Sequence, residues 1–346
     1  MKKTQQQVSG LALVGEDLVP SRVDIFIEDG TITAVEENRN VPEVWVCPAF
    51  FNAHTHLGDT IAMDCGAGGD LAALVTPPDG LKHRLLAAAT RDDLVAGMRS
   101  SIRGMIAGGT AGCADFREGG TGGVAALRES VRGLPFRTCI FGRGGGETVA
   151  EGLGISSARD VPDTEHLVAE ARRAGKKVAF HAGERDKDDV DLALSFDPDL
   201  IIHATHATKG QLRQCAEKGI PVVVCPRSNW TLRVASSCRH PPLALMEELS
   251  CRIYLGTDNV MFVAPDMPSE LSFASTVYGL EPSHLLRAAI RGSEMTGSPF
   301  FIRVGARANL VVIDPRRSSL HFSRDPLTTL VKRVDFAVFG NNVFNS

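Results

Sequence analysis

The chain has 346 residues, 43% of them hydrophobic, and a formal net charge of -4. That length can bury a large core and suits one barrel-sized domain with a smaller appendage better than two equal domains. Mild acidity with interspersed charges excludes a basic nucleic-acid face, and no run approaches the roughly 18 apolar residues of a membrane span.

Met1-Lys2-Lys3 is followed by three glutamines, and the apolar run 11–14 is cut off by Glu16 and Asp17, too short for a secretory core. The expectation is a cytoplasmic protein with a small-molecule substrate, no nucleic acid and no membrane as partners, and a homo-oligomer left open. Eight cysteines are scattered without a CxxC pair, which argues against a zinc finger or a dithiol redox site. They read as reduced, buried, small apolar residues.

Residues 8–46 read as strands over 11–14, 23–28 and 31–36, with Asp29-Gly30 between the last two as a hairpin signal. From about residue 90, helical stretches such as 91–107 and 123–132 alternate with apolar runs at 110–116, 136–141, 177–180, 200–203, 221–225 and 252–256. Strand-helix alternation implies a parallel sheet. With the run before Asn52 this makes about seven strands, close to the eight of a closed barrel. The tail returns to β-type sequence at 309–313 and 331–339, ahead of Gly340-Asn341. The expected fold is α/β: a (β/α)8 TIM barrel over residues 49–303, with a small β-sandwich domain built from 1–48 and 304–346. A doubly wound open sheet is the rival. The barrel is preferred because His54, His56, His181, His203 and Asp258 each follow a strand-like run, and barrel strand ends converge on one face.

His54-Thr55-His56 places two imidazoles on one side of an extended strand, where both can reach one metal. Two polar residues at a strand end would look the same. His181-Ala-Gly-Glu184 closes the run 178–180 and sets a carboxyl beside a third histidine, as a metal centre needing a proton carrier would. A solvated Glu before the charged run 185–191 is the plainer alternative. His203-Ala-Thr-His206 follows Ile201-Ile202, and Gly256-Thr257-Asp258-Asn259 ends the run 253–255. Asp258 taken singly reads as a helix N-cap; it is the order of all four patterns at successive strand ends that favours a metal site.

That order, and the contexts around it, resemble the amidohydrolase superfamily, in its cytosine deaminase, adenosine deaminase and chlorohydrolase-like branch. The residues carrying the resemblance are Cys47-Pro-Ala-Phe-Phe-Asn-Ala-His54-Thr-His56, His181-Ala-Gly-Glu184, Cys225-Pro-Arg-Ser-Asn229 (similar to a sixth-strand motif) and Leu255-Gly-Thr-Asp258, spread over nearly the whole chain. The resemblance implies one divalent metal, zinc before iron, held by His54, His56, His181 and Asp258. It makes Glu184, His203 and Asp258 the catalytic groups. Lys176 and Lys177, opening what reads as the fourth strand, lie at its far end from His181, so no bridging lysine for a second metal is expected. The implied reaction is hydrolysis of a C–N bond other than a peptide bond, deaminating a nucleobase, nucleoside, pterin or aminoazine. Opening a cyclic amide or dechlorinating a ring is the alternative.

His83, Arg117, Glu118 and Arg143 follow early strands and are candidates for contacting substrate. His206 reads as a pocket-wall or structural residue, and His166, His240, His284 and His321 as surface or structural ones. The chain is shorter than usual members of the branch, and the stretch Gly66-Ala-Gly-Gly69 is compact where relatives carry a longer substrate loop. Gly120-Thr-Gly-Gly-Val-Ala125 has the form of a dinucleotide loop, which would make an oxidoreductase. However, the next strand ends Phe141-Gly142-Arg143, without the acidic ribose partner. A non-catalytic scaffold is disfavoured because every expected ligand and Glu184 are present. The Pro-Cys-x-x-Cys pattern of the unrelated zinc deaminases is absent.

Overall fold

The structure, a computed structural model, describes residues 4–66, 71–75, 80–334 and 343–344. It opens with β1 (Gln5–Val14), β2 (Val19–Glu28), β3 (Thr31–Glu37) and β4 (Trp45–Pro48). The expected hairpin joins β2 to β3, which pair antiparallel. Its two connecting residues have positive φ, 47° at Asp29 and 73° at Gly30. A tight turn matched to the sheet's twist needs that geometry, and Asp-Gly supplies it at little steric cost. Along β2 the alternation buries Val23, Ile25 and Ile27 against Val8, Ile32 and Val46.

The parallel strands follow: β5 (Phe50–His56), β6 (Thr110–Arg117), β7 (Arg137–Gly142), β8 (Gly152–Ile155), β9 (Lys177–Ala182), β10 (Leu200–His203), β11 (Val222–Val224), β12 (Ile253–Leu255) and β13 (Asp258–Asn259). From β5 to β12 each pairs with the next, and β13 pairs back onto β5 with Asp258 opposite Thr55. β12 and β13 are one stave interrupted at Gly256-Thr257, so the sheet closes as an eight-stave TIM barrel. Helices cover it outside. That over Arg91–Ala107 starts on Thr90, whose side chain accepts from the Asp93 N–H, which is ordinary N-capping.

Two sequence expectations change. β8 was not foreseen; it is the fourth stave, which makes the His181 strand the fifth and the run before Cys225 the seventh. The fourth stave, Gly152-Leu-Gly-Ile155, carries no lysine. Its glycines exist for packing: a Cβ on Gly152 would lie 2.5 Å from the Phe141 ring, and one on Gly154 2.9 Å from that of Phe116. The second change is at the tail. Residues 331–333, read as strand, end the helix Pro326–Arg333. Asp325 caps it by accepting from the Leu327 N–H at 3.1 Å. Leu327, Leu330, Val331 and Val334 face the core at the helical spacing i, i+3, i+4, i+7. Residues 335–339 of that expected strand, with Gly340-Asn341, lie outside the described residues, as do 67–69 of the glycine-rich stretch.

Before that helix, β14 (Leu310–Ile313) pairs antiparallel with β4, and β15 (Val343–Phe344) with β14. The terminal segments thus share one six-stranded sheet, in the order β15-β14-β4-β1-β2-β3. The tight fit of the fourth stave makes a stability prediction. Gly152→Val should cost about 1–3 kcal/mol through overpacking, measured by urea denaturation; an unchanged midpoint would show that the stave has slack.

Candidate metal centre

Four imidazoles and a carboxylate meet at the C-terminal mouth of the barrel. On β5, His54 and His56 project to the same side, while Thr55 turns away and donates to the Ala114 carbonyl at 3.0 Å. One ligand atom each from His54, His56 and His181 lie within 4.8 Å of one another, as do those of His54, His203 and Asp258. Asp258 Oδ1 is 3.1 Å from His54 Nε2 and 3.5 Å from His56 Nε2. The geometry therefore also brings His203 within reach of the donor set.

Backbone carbonyls orient two of the rings. His56 Nδ1 donates to the Phe116 carbonyl at 3.0 Å and His181 Nδ1 to the Ile155 carbonyl at 2.9 Å. With the proton held on Nδ1, each Nε2 keeps its lone pair for a metal. His181 Nε2 is buried and has no hydrogen-bond partner among the described residues, a state that costs free energy unless an electrophile takes the lone pair. Burial lowers the His54 pKa to about 4 and that of His56 to about 3, and it holds His181 well below the usual range. All three are neutral near pH 7, as ligation requires. Burial opposes the charge on Asp258, yet its hydrogen bond to His54 and the surrounding histidines hold it well below the usual carboxylate range. Ser228 Oγ donates to Asp258 Oδ2 at 2.5 Å. A divalent metal fits this set by donor chemistry, burial and the orphaned nitrogen.

Glu184 lies in the loop after β9, with Oε2 3.6 Å from His203 Nε2. Burial raises its pKa, although His203 works in the other direction. Behind His56 runs an ionic network that the sequence did not reveal. Lys82 Nζ sits 2.8 Å from Asp59 Oδ2 and 2.9 Å from Glu118 Oε1. Glu118 Oε1 is also 3.1 Å from His56 Nδ1. Desolvation works against the Lys82 charge, but Asp59 and Glu118 outweigh it and raise its pKa. The side chain of Lys82 is only 4% exposed, so it is a buried cation held by two carboxylates.

The candidate substrate residues separate. His83, Glu118 and Arg143 line the cleft over the centre. Arg117 does not: it is buried behind, 2.7 Å from Glu118 Oε2 and 3.3 Å from Asp115 Oδ1. His206 is half-buried beside His240, outside the cleft lining. His166, His284 and His321 are exposed. The glycine-rich stretch after β6 makes a tight strand-to-helix turn: a Cβ on Gly123 would fall 1.9 Å from the Glu118 carbonyl oxygen. Lys82 and Asp59 escaped sequence reasoning because a lone Lys or Asp carries no spacing signal, whereas Ser228 stood in the Cys225–Asn229 motif without a role of its own.

The Amidohydrolase family model matches residues 45–338. A protein of Methanothermobacter thermautotrophicus, provisionally named as an aminohydrolase, is 32% identical over 94% of this chain and 94% of its own length. A 5-methylthioadenosine/S-adenosylhomocysteine deaminase of Halobacterium salinarum is 26% identical over 89% of this chain and 84% of its own. Among solved structures, an adenosine deaminase from Xanthomonas campestris with bound zinc superposes with a TM-score of 0.79 at 18% identity. That match covers 97% of this chain and 90% of the other.

Two predictions follow from the depressed imidazoles and the donor set. Purified protein should carry about one divalent ion per chain by elemental analysis, lost in His181→Ala; full retention in that variant would remove His181 from the donors. In metal-stripped protein, the unfolded chain takes up protons below its ordinary histidine pKa of 6.5, while the folded chain resists until about 4 at His54. The histidine contribution to stability is thus complete above pH 6.5 and declines below it, the His54 share being lost by about 4 and the His56 share by about 3. Thermal melts across that range should show the decline, and a flat profile would contradict it.

Proposed function

This chain belongs to the Amidohydrolase family, and on that premise we propose that it is a metal-dependent aminohydrolase that replaces the amino group of a nitrogen heterocycle by oxygen and releases ammonia. The observation that carries this reading is Glu184 Oε2 standing 3.6 Å from His203 Nε2, beside the cluster of metal donors. A cleavage that must protonate a ring nitrogen and a leaving amine needs such a proton carrier next to the activated water.

His54, His56, His181 and Asp258 would hold the ion, with zinc the preferred metal. A divalent metal in this donor set supplies Lewis acidity that makes water a competent nucleophile near neutral pH. Glu184, its pKa raised by burial, protonates the ring nitrogen adjacent to the carbon under attack. Asp258, fixed by Ser228, takes a proton from the water as its oxygen bonds to that carbon. His203 orients the water between them. The tetrahedral carbon then carries hydroxyl and amino groups. Its hydroxyl proton returns to Glu184, Asp258 protonates the amine, the C–N bond breaks, and ammonia leaves a ring carbonyl flanked by N–H.

An ammonia-release screen of metal-replete protein over aminopurines, aminopyrimidines, their nucleosides, pterins and aminotriazines tests the reading. Chloride release from chlorinated rings, without ammonia from any amine, would replace deamination by dechlorination. Glu184→Gln should lower turnover by roughly 10²–10⁴-fold with metal content unchanged, and retained activity would remove Glu184 from the proton path. His203→Asn should likewise keep the metal and lose rate.

A further inference from the structure

Among the described residues, Lys82, Arg143 and Arg185 border the cleft, and two of them are closely paired. Lys82 lies between Asp59 and Glu118. Arg185 donates to Asp160, with NH1 3.2 Å from Oδ1. Arg143, on the loop after β7, is different. Its Nε and NH2 are buried and have no hydrogen-bond partner among the described residues. Its NH1 reaches no closer than 4.0 Å to Glu118 Oε1. That carboxylate is already occupied by Lys82 at 2.9 Å, Arg117 at 2.7 Å and His56 at 3.1 Å.

A guanidinium with two buried and unanswered donors carries a desolvation penalty that a ligand can relieve. Its planar fork suits a carboxylate or phosphate, which can accept two parallel N–H bonds. The paired oxygens of such an anion answer two parallel donors more fully than a single carbonyl oxygen does. The carboxylates of Asp59, Asp115 and Glu118 are contacted by Lys82 and Arg117, so their hydrogen-bonding capacity is turned away from Arg143. The Ser156 hydroxyl lines the same cleft and has no hydrogen-bond partner among the described residues.

We propose that Arg143 binds an anionic group on the substrate, a carboxylate or phosphate attached to the aminated ring, through Nε and NH2. This rests on the deaminase reading for the ring, but its test does not depend on turnover. Calorimetric binding to metal-loaded protein compares two matched pairs, pterin with pterin-6-carboxylate and adenosine with adenosine 5′-monophosphate. The anionic member of at least one pair should bind about tenfold or more tighter than its neutral partner. The pair that responds separates carboxylate from phosphate. Arg143→Met should abolish the preference while metal content and melting temperature stay unchanged. Arg143→Lys, which keeps the charge but loses the fork, should retain only part of it and covers the case in which the Met variant misfolds. Equal binding within both pairs, no binding by either anion, or a preference surviving in Arg143→Met or undiminished in Arg143→Lys overturns the proposal. Ammonia released from neutral amines without any anion preference would sink this inference alone; a clear preference with no ammonia from any probe would sink the deaminase reading and leave Arg143 as an anion site.

Discussion

Gly256 has no room for a side chain. A Cβ there would lie 2.7 Å from both the backbone nitrogen and the Cβ of His54, so the last stave lies directly on the first. The contact is fastened by side chains: Asn52 Nδ2 donates to Thr257 Oγ1 at 2.7 Å, and Asn52 Oδ1 accepts from the Thr257 N–H at 3.0 Å. The Thr257 N–H also reaches the His54 carbonyl at 3.2 Å. Barrel closure and metal-site assembly are therefore one event. The residue after this clamp is Asp258, and the residue two before His54 is Asn52. Any slip in register between the staves would carry the carboxylate away from the imidazoles, because a shift of one residue reverses the face on which a side chain points.

Holding donors this close has a backbone cost. His203 sits at φ 75° and Asp258 at φ 64°, left-handed conformations that cost non-glycine residues of order 1–3 kcal/mol each. The surroundings compel them. Asp258 is fixed by its pairing with Thr55 and by Ser228, and His203 ends a strand paired residue by residue with β9. Strain tolerated at the mouth of the barrel, where the chain must turn from stave to loop, is what lets a carboxylate point inward instead of along the strand.

The sequence made this centre legible because its parts are periodic or ordered. HxH obeys the two-residue repeat of a strand, Asp-Gly marks a tight hairpin, and apolar runs before polar residues mark stave ends. What stayed hidden has no period. β8 is half glycine, chosen to fit under Phe141 and Phe116, and Ile155 alone is too little of the β-branched signal by which strands are recognised. The last three residues of the tail helix, 331–333, fall within the strand expected over 331–339 because apolar residues continue past the helix end, and Asp325-Pro326 was not read as a helix start. Lys82 illustrates the third kind of loss. Its burial depends on Asp59 and Glu118, which are distant in sequence and meet it only after the barrel closes.

Two of the carboxyl groups facing the cleft, those of Asp258 and Glu184, are pushed in opposite directions, and that contrast gives them separate tasks. Both are desolvated, which by itself would raise each pKa. Around Asp258 the hydrogen bond to His54 and the surrounding imidazoles stabilise the anion strongly enough to win. Around Glu184 they do not: His203 is 3.6 Å away, while Asp258 and Asp189 add repulsion that supports burial. One carboxyl is therefore kept ionised and fixed, suited to hold a cation and accept a proton, and the other is inclined to carry a proton on a loop side chain. Where two titratable groups in one cleft diverge like this, the acid and the base can be told apart from their surroundings. Glu118 makes the same point by exclusion. Its charge is neutralised by Lys82 and Arg117, so it is left to hold His56 in place rather than exchange protons with a substrate.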